Sequence, residues 1–372
     1  MSDRNPNIDV LRGFAILVVL LLHHALAYGF RGSITDDIIP SAWLHSLVIN
    51  GSYGVTMFFA ISGYLITSIA LRRYGSLSNI DMWHFYRMRA SRILPPLLLA
   101  LTTVLILGQI GLPFFQNGGG EPGYDGPSLW LTVLSLLTFW HNALMQQDGY
   151  FNYVLNVYWS LSVEEMFYLL FPLCCLMLKR GSHLVYLAAL FVIIGPVYRW
   201  LNMDSSVDYL HGYLATFDAL SIGVLAALLQ EKIAPRAMRP WRLIAAILLP
   251  VIYFSGISGN VIFGFTGISI CTALLLIHSP AKQSPFWRKV TSPLRWMGRH
   301  SYELYLFHII VLATMRSFIP SDVVTGNEKL LMLAVMIVSS CLVSFVVARW
   351  YATPLNNWFR HRLLSQESRA PA

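Results

Sequence analysis

Charge is what this chain has least of. Only 12% of its 372 residues are Asp, Glu, Lys or Arg, about half the share usual in soluble domains. A sequence so poor in charge cannot coat a globule with an ordinary water-facing surface. Its 56% hydrophobic content and mean hydropathy of +0.58 place it in a bilayer instead. Cysteine is also scarce. Cys174, Cys175, Cys271 and Cys341 all lie inside apolar runs without CxxC spacing, which excludes a disulfide framework and a zinc site and leaves them as packing residues. Acidic residues are outnumbered, 18 against 26 Lys and Arg, for a net charge of +8. In a soluble protein that excess would point to nucleic acid. Here it collects in alternate loops and reads as a topology signal, so neither a nucleic-acid partner nor a metal is expected. No internal repeat stands out.

What the chain has instead is a series of apolar runs with ionisable residues inside them. The first, Ile8 to Tyr28, is long enough to cross a bilayer, which takes about 20 residues. Its length and its buried ionisable groups mark a retained helix, not a cleaved signal peptide. Arg12 and His23 are eleven residues apart, roughly 16 Å along a helix axis and only about 20° around it, so they share one face. An ionisable group at membrane depth costs at least roughly 2.5 kcal/mol, which makes such a pair a functional candidate. Arg12 alone reads equally well as an interfacial anchor. His23, past mid-helix, is the stronger candidate, and His24, about 100° further round, reads as packing.

Further helices are expected over 48–71, 93–111, 159–178, 184–200, 210–229, 243–255, 261–277, 301–318 and 330–350, with a short amphipathic piece over 79–92. The basic loops 72–92, 231–242 and 282–299 belong on the cytoplasmic side, and the acidic or neutral loops 113–127, 202–208 and 320–328 outside. Ser128 to Met145 is apolar enough to be helical, but a crossing there would put Lys179 and Arg180 on the wrong side. It is therefore expected to be re-entrant or to lie along the outer interface. The fold class that follows is an all-α, polytopic membrane helix bundle of about ten transmembrane helices plus that one element. Both termini are cytoplasmic, residues 1–358 form one membrane domain, and 359–372 form a short cytoplasmic tail.

Several motifs carry chemistry. Ser62 and Gly63 set small residues among the aromatics of 58–65, which suits close helix packing and, secondarily, a ligand's approach to backbone. Arg89 and Arg92, three apart on one helical face with Arg87 nearby, suit a phosphate as well as they suit an inner-leaflet anchor. Pro95 kinks or starts the next helix. Trp159 opens a segment in which Ser160 can cap a helix whose first turn holds Glu164 and Glu165, one of them facing a polar cavity. Asp218 and His308 fall near the midplane of their helices, as structural partners or as functional groups.

Taken in order, Arg12 with His23, Phe59 to Leu65, Arg89 to Pro95, Trp159 to Tyr168 and Gly298 to His308 resemble the acyltransferase 3 family. Its members are membrane O-acyltransferases that acylate sugars on the far side of the bacterial cytoplasmic membrane. The resemblance covers essentially the whole chain. It implies that Arg12 and His23 are the functional pair of the first helix, that Arg89 and Arg92 belong to the cytoplasmic arginine motif, and that Glu164 is the family's glutamate. Relatives carry an arginine just before the aspartate that matches Asp218, where this chain has Phe217, which leaves a role for Asp218 open. An outer hydrolase-like domain, present in some members, is not expected.

The function expected is O-acetyl transfer. Acetyl-CoA or another acyl-CoA would bind from the cytoplasm with its phosphates on Arg89, Arg92 and Arg87, and its thioester would extend into the bundle. His23 would act as general base on a hydroxyl of a surface or periplasmic polysaccharide such as O-antigen or exopolysaccharide. Glu164 would orient His23 or bind the acceptor, and Arg12 would hold the donor or an opposing carboxylate. Ser62, Gly63, Trp159, Asp218, Tyr302 and His308 would support or bind substrate. The partners are then the lipid bilayer, the acyl-CoA and a glycan. Two alternatives stand beside this: a proton-coupled transporter of a small polar solute, and acylation of peptidoglycan or of a small glycosylated metabolite.

Overall fold

The computed structural model of the chain describes residues 5–280 and 283–367, and every regular element among them is helical. Numbering only the helices that build the bundle and its site, these are α1 (Pro6–Ala27), α2 (Ser52–Tyr74), α3 (Met82–Gln109), α4 (Leu129–Leu137), α5 (His141–Asp148), α6 (Trp159–Leu178) and α7 (Gly181–Leu201). They continue with α8 (Tyr213–Leu229), α9 (Met238–Ser255), α10 (Gly264–Leu276), α11 (Ser292–Arg299), α12 (Ser301–Phe318), α13 (Glu328–Val347) and α14 (Thr353–Glu367). Eight helices are long and apolar enough to cross a membrane. The other two expected spans are α12, 18 residues long, and α10, with 13. At ~1.5 Å per residue α10 covers about 20 Å, less than a ~30 Å hydrocarbon core. It can be short because most of its residues are buried among neighbouring helices.

The bundle is layered around α2 and α8. In their most apolar stretches 67% and 72% of residues are buried, against 22% for α7, α9 and the α13–α14 helix, whose Leu, Ile, Val and Trp side chains face outward as lipid-facing surfaces do. The central pair touches backbone to backbone. A Cβ on Gly63 would lie 2.0 Å from the Leu220 carbonyl oxygen, and one on Gly223 would lie 2.1 Å from that of Ala60. Only glycine permits that crossing. Gly63 thus packs α2 on α8 and is not a wall of any cavity described below.

The structure corrects one sequence expectation, at α3, and adds detail to two others. The amphipathic piece and the third run are one continuous helix, α3, which passes through Pro95 and Pro96 without ending. Proline there removes two backbone donors, but the helix is held by packing, and the Tyr302 hydroxyl donates to the Ile93 carbonyl at 3.0 Å. Ser128 to Met145 is two helices, α4 and α5, of nine and eight residues, broken at Phe139, whose φ is 65°. Each is far too short to cross. Lastly, α13 runs through a wide turn at 348–352 into α14, so the boundary drawn at 358 falls inside a helix.

Candidate functional site

Two cavities penetrate the bundle. The first lies toward the end where α2 finishes in Arg72 and Arg73 and where α3 begins, and measures about 100 Å³. Arg12 on α1, Ser62 on α2, Arg89 and Arg92 on α3, Glu164 on α6 and Tyr302 on α12 all line it. Five helices therefore bring together six residues that the sequence singled out. Glu164 accepts hydrogen bonds from the Ser62 and Tyr168 hydroxyls, and those hydroxyls also touch each other. Tyr168 follows Glu164 by four residues, one turn along the same face. The Arg89 guanidinium lies 5.1 Å from the centre of the Tyr168 ring and 5.8 Å from that of Phe85, which fixes its plane. The Arg12 Nε donates to Ser301 Oγ at 3.1 Å, and Glu165 also borders the space.

The second cavity, about 700 Å³, lies toward the opposite end. His23, Trp159 and Asp218 line it, with Tyr150, Tyr153, Asn156, Tyr209 and His211 on its aromatic and polar walls. Trp159 meets His211 with ring centres 4.4 Å apart and planes inclined at 59°, and meets Phe59 edge-on at 5.9 Å. Val55, Phe59 and Tyr305 border both cavities, so a single layer of side chains stands between them. Arg12 and His23 thus open from one helix into the two successive chambers, as their shared face requires.

The partner of His23 is His308. His308 is fully buried, and its Nδ1 lies 2.9 Å from the carbonyl oxygens of Leu304 and Tyr305. A carbonyl can only accept, so that nitrogen carries the hydrogen and Nε2 keeps its lone pair. Nε2 in turn lies 3.2 Å from the Nδ1 of His23, which is also 2.9 Å from the Val19 carbonyl. His23 Nδ1 must therefore be the donor, and its Nε2 is the basic nitrogen of a ring that lines the larger cavity.

Other candidates are placed differently from what the sequence led one to expect. Glu164 does not meet His23; it belongs to the arginine-lined chamber, where Ser62 and Tyr168 hold it. Ser160 does not cap α6. A short turn at Leu155–Tyr158 leads straight into the helix, so Ser160 lies inside it and donates to the Tyr305 hydroxyl at 2.7 Å. Asp218 accepts from the fully buried Arg199 at 2.8 Å and from Thr266 at 2.6 Å, while Arg199 also donates to the carbonyls of Ile262 and Ala215. This closed ion pair is the structural reading of Asp218. Arg199 is not among the residues singled out from the sequence, where no spacing links it to Asp218. Arg87 is exposed and lines neither chamber. Among the described residues no group of three His, Cys, Asp or Glu could hold a metal.

An apolar bundle of this kind, with ionisable groups gathered in chambers between its helices, is a multi-pass membrane protein. The chain belongs to the acyltransferase 3 family, whose acyltransferase-domain model matches residues 5–349. It is 26% identical over 375 residues to the O-acetyltransferase OatA of Staphylococcus aureus, covering 94% of this chain and 57% of that protein. It is 27% identical to the putative peptidoglycan O-acetyltransferase YrhL of Bacillus subtilis, covering 94% and 54%, and 26% identical to the peptidoglycan O-acetyltransferase OatA of Listeria monocytogenes, covering 83% and 50%. The chain spans about half the length of the curated relatives it matches. No solved structure matches it.

Proposed function

We propose that the chain is a membrane O-acetyltransferase that takes an acetyl group from acetyl-CoA at its arginine end and passes it to a glycan hydroxyl at its histidine end. By the distribution of basic loops the arginine end is cytoplasmic, in the inner membrane of a bacterium, with both termini inside. The observation that carries this reading is the placement of Arg12 and His23 in adjoining chambers on one helix, with the His23 ring lining the larger one and its Nδ1 taken up by His308 and the Val19 carbonyl.

Arg89 and Arg92 hold the donor's phosphates, and the thioester reaches inward past Arg12. His23 Nε2 removes the proton of the acceptor hydroxyl as its oxygen attacks the thioester carbonyl. The C–O bond forms, the C–S bond breaks, and the imidazolium returns its proton to the departing thiolate. His308 keeps the His23 ring turned so that Nε2, not Nδ1, meets the acceptor. Rings such as Trp159 and Tyr209 offer flat apolar faces to the C–H side of a pyranose, while Asn156 offers an amide to its hydroxyls.

Two of the relatives named above act on peptidoglycan by name, which favours that acceptor over O-antigen or exopolysaccharide. The test is the full chain in membranes with labelled acetyl-CoA and muropeptide, O-antigen or exopolysaccharide fragments. Ester-linked label on a glycan supports the reading. Absence of ester on every glycan, together with gene-dependent uptake of a small solute, supports transport.

A further inference from the structure

Beyond the arginine-lined chamber lies a third cavity of about 210 Å³, and Arg89 and Arg92 line both. The other polar walls of this basin are Arg73 and Tyr74 on α2, His84 on α3, and Asn356 and Arg360 on α14. Four guanidinium groups border one space, and none of the described residues lining it is acidic. A sphere of that volume is about 7 Å across, inside the ~8 Å screening length at physiological salt, so an anion held there would be attracted by all four charges at once. Guanidinium forks match phosphate oxygens in pairs, and four around one basin suit a ligand with several phosphates.

Arg73, Arg92 and Arg360 are exposed, and two features shape the basin around them. Arg89 is wedged between the Phe85 and Tyr168 rings. Helix α14 is tied to α3 where Ser91 Oγ meets Asn356 Oδ1 at 3.2 Å, and Arg360, one turn further on, comes off the same face. Arg360 lies beyond the residues that the family model matches, and no motif read from the sequence includes it.

We infer that this basin is a phosphate site for the nucleotide end of the thioester donor, in which Arg73 and Arg360 hold the ribose 3′-phosphate while Arg89 and Arg92 face the pyrophosphate. The inference rests on the acyl-CoA reading above. It follows the order of the cavities: thioester arm in the chamber, pyrophosphate at the arginine pair that both spaces share, terminal phosphate in the basin. Helix α14 is then part of the donor site. An anionic lipid headgroup offers the same phosphate chemistry, and the exposed Trp358 and Phe359 beside Arg360 suit a helix at interfacial depth. The experiment has to separate the two sources.

The full chain in phosphatidylcholine nanodiscs is titrated with acetyl-CoA and with acetyl-dephospho-CoA, which lacks only the 3′-phosphate. The unmodified protein is expected to prefer acetyl-CoA by about tenfold or more, the scale of one charge-assisted hydrogen bond. Arg360→Gln and Arg73→Gln each reduce that preference toward twofold by weakening acetyl-CoA alone. An unchanged preference in Arg360→Gln overturns the proposal and leaves the acyl-CoA reading standing. A preference near one in the unmodified protein, with Arg360→Gln shedding bound phosphatidylglycerol from mixed nanodiscs, assigns the basin to lipid and also overturns it. Binding of neither thioester removes the acyl-CoA reading itself.

Discussion

The two chambers differ in what holds their walls. At the arginine end about 100 Å³ is bordered by a network in which Glu164, Ser62 and Tyr168 bond to one another and Arg89 is wedged between rings. At the histidine end about 700 Å³ is bordered by aromatic faces and by few polar groups bonded to each other. A tight charged space suits a ligand that is the same in every turnover, and a wide aromatic one suits a bulkier and more variable partner. Under the proposed function, the comparison assigns donor recognition to electrostatics and acceptor recognition to shape. It breaks if a change in one chamber moves the kinetics of the other's substrate.

The largest effect is expected at the histidine end. His23→Ala removes the base and lowers kcat for acetyl transfer by roughly 10²–10⁴-fold, while acetyl-CoA binding to the membrane-inserted variant stays within twofold of the unmodified protein. Full transfer by that variant would take His23 out of the reaction. Next comes Arg89→Gln, which loses a charge-assisted contact worth ~1.5–3 kcal/mol and so raises the KM for acetyl-CoA by roughly 10–100-fold. The glycan KM is expected not to move. If instead the glycan KM rises and the donor KM does not, the assignment of the two ends is reversed.

His308 sharpens the comparison because it touches neither cavity and acts through His23. His308→Phe takes away the acceptor for the His23 Nδ1 hydrogen, leaving only the Val19 carbonyl. One neutral hydrogen bond is worth about 1 kcal/mol, so kcat falls about fivefold with both KM values unchanged. In His308→Gln the side-chain oxygen can again accept that hydrogen, and most of the rate returns. Equal loss in both variants would mean that His308 is only packing.

The sequence revealed whatever depends on position along a single helix. Periodicity alone put Arg12 and His23 on one face, and the structure opens that face onto adjoining chambers. Charge asymmetry around 179–180 excluded a crossing by 128–145, which folds as two short helices. What stayed hidden depends on which helix lies beside which. Arg199 and Asp218 pair across α7 and α8, His308 reaches His23 from α12, and Arg360 meets Arg73 only because α14 turns back onto α3. Proline misled for a related reason. A local rule ends helices there, but in α3 tertiary packing outweighs the two missing donors.

The smallest effect is the one that separates charge from site. Arg87, Arg89 and Arg92 look alike in the sequence, and by electrostatic attraction to acidic lipid they are equivalent, at ~1 kcal/mol each. In the structure Arg89 and Arg92 line the cavities, whereas Arg87 is exposed and lines none. Arg87→Gln is therefore expected to leave the acetyl-CoA KM within twofold of the unmodified value, measured beside Arg89→Gln in the same phosphatidylcholine nanodiscs. If the arginines served only to gather anions near the membrane surface, the two variants would weaken donor binding alike, and raising the salt concentration would erase both effects. A silent Arg87 beside a disabling Arg89 means that the direction in which each guanidinium points, two residues apart on one helix, decides which of them the donor meets.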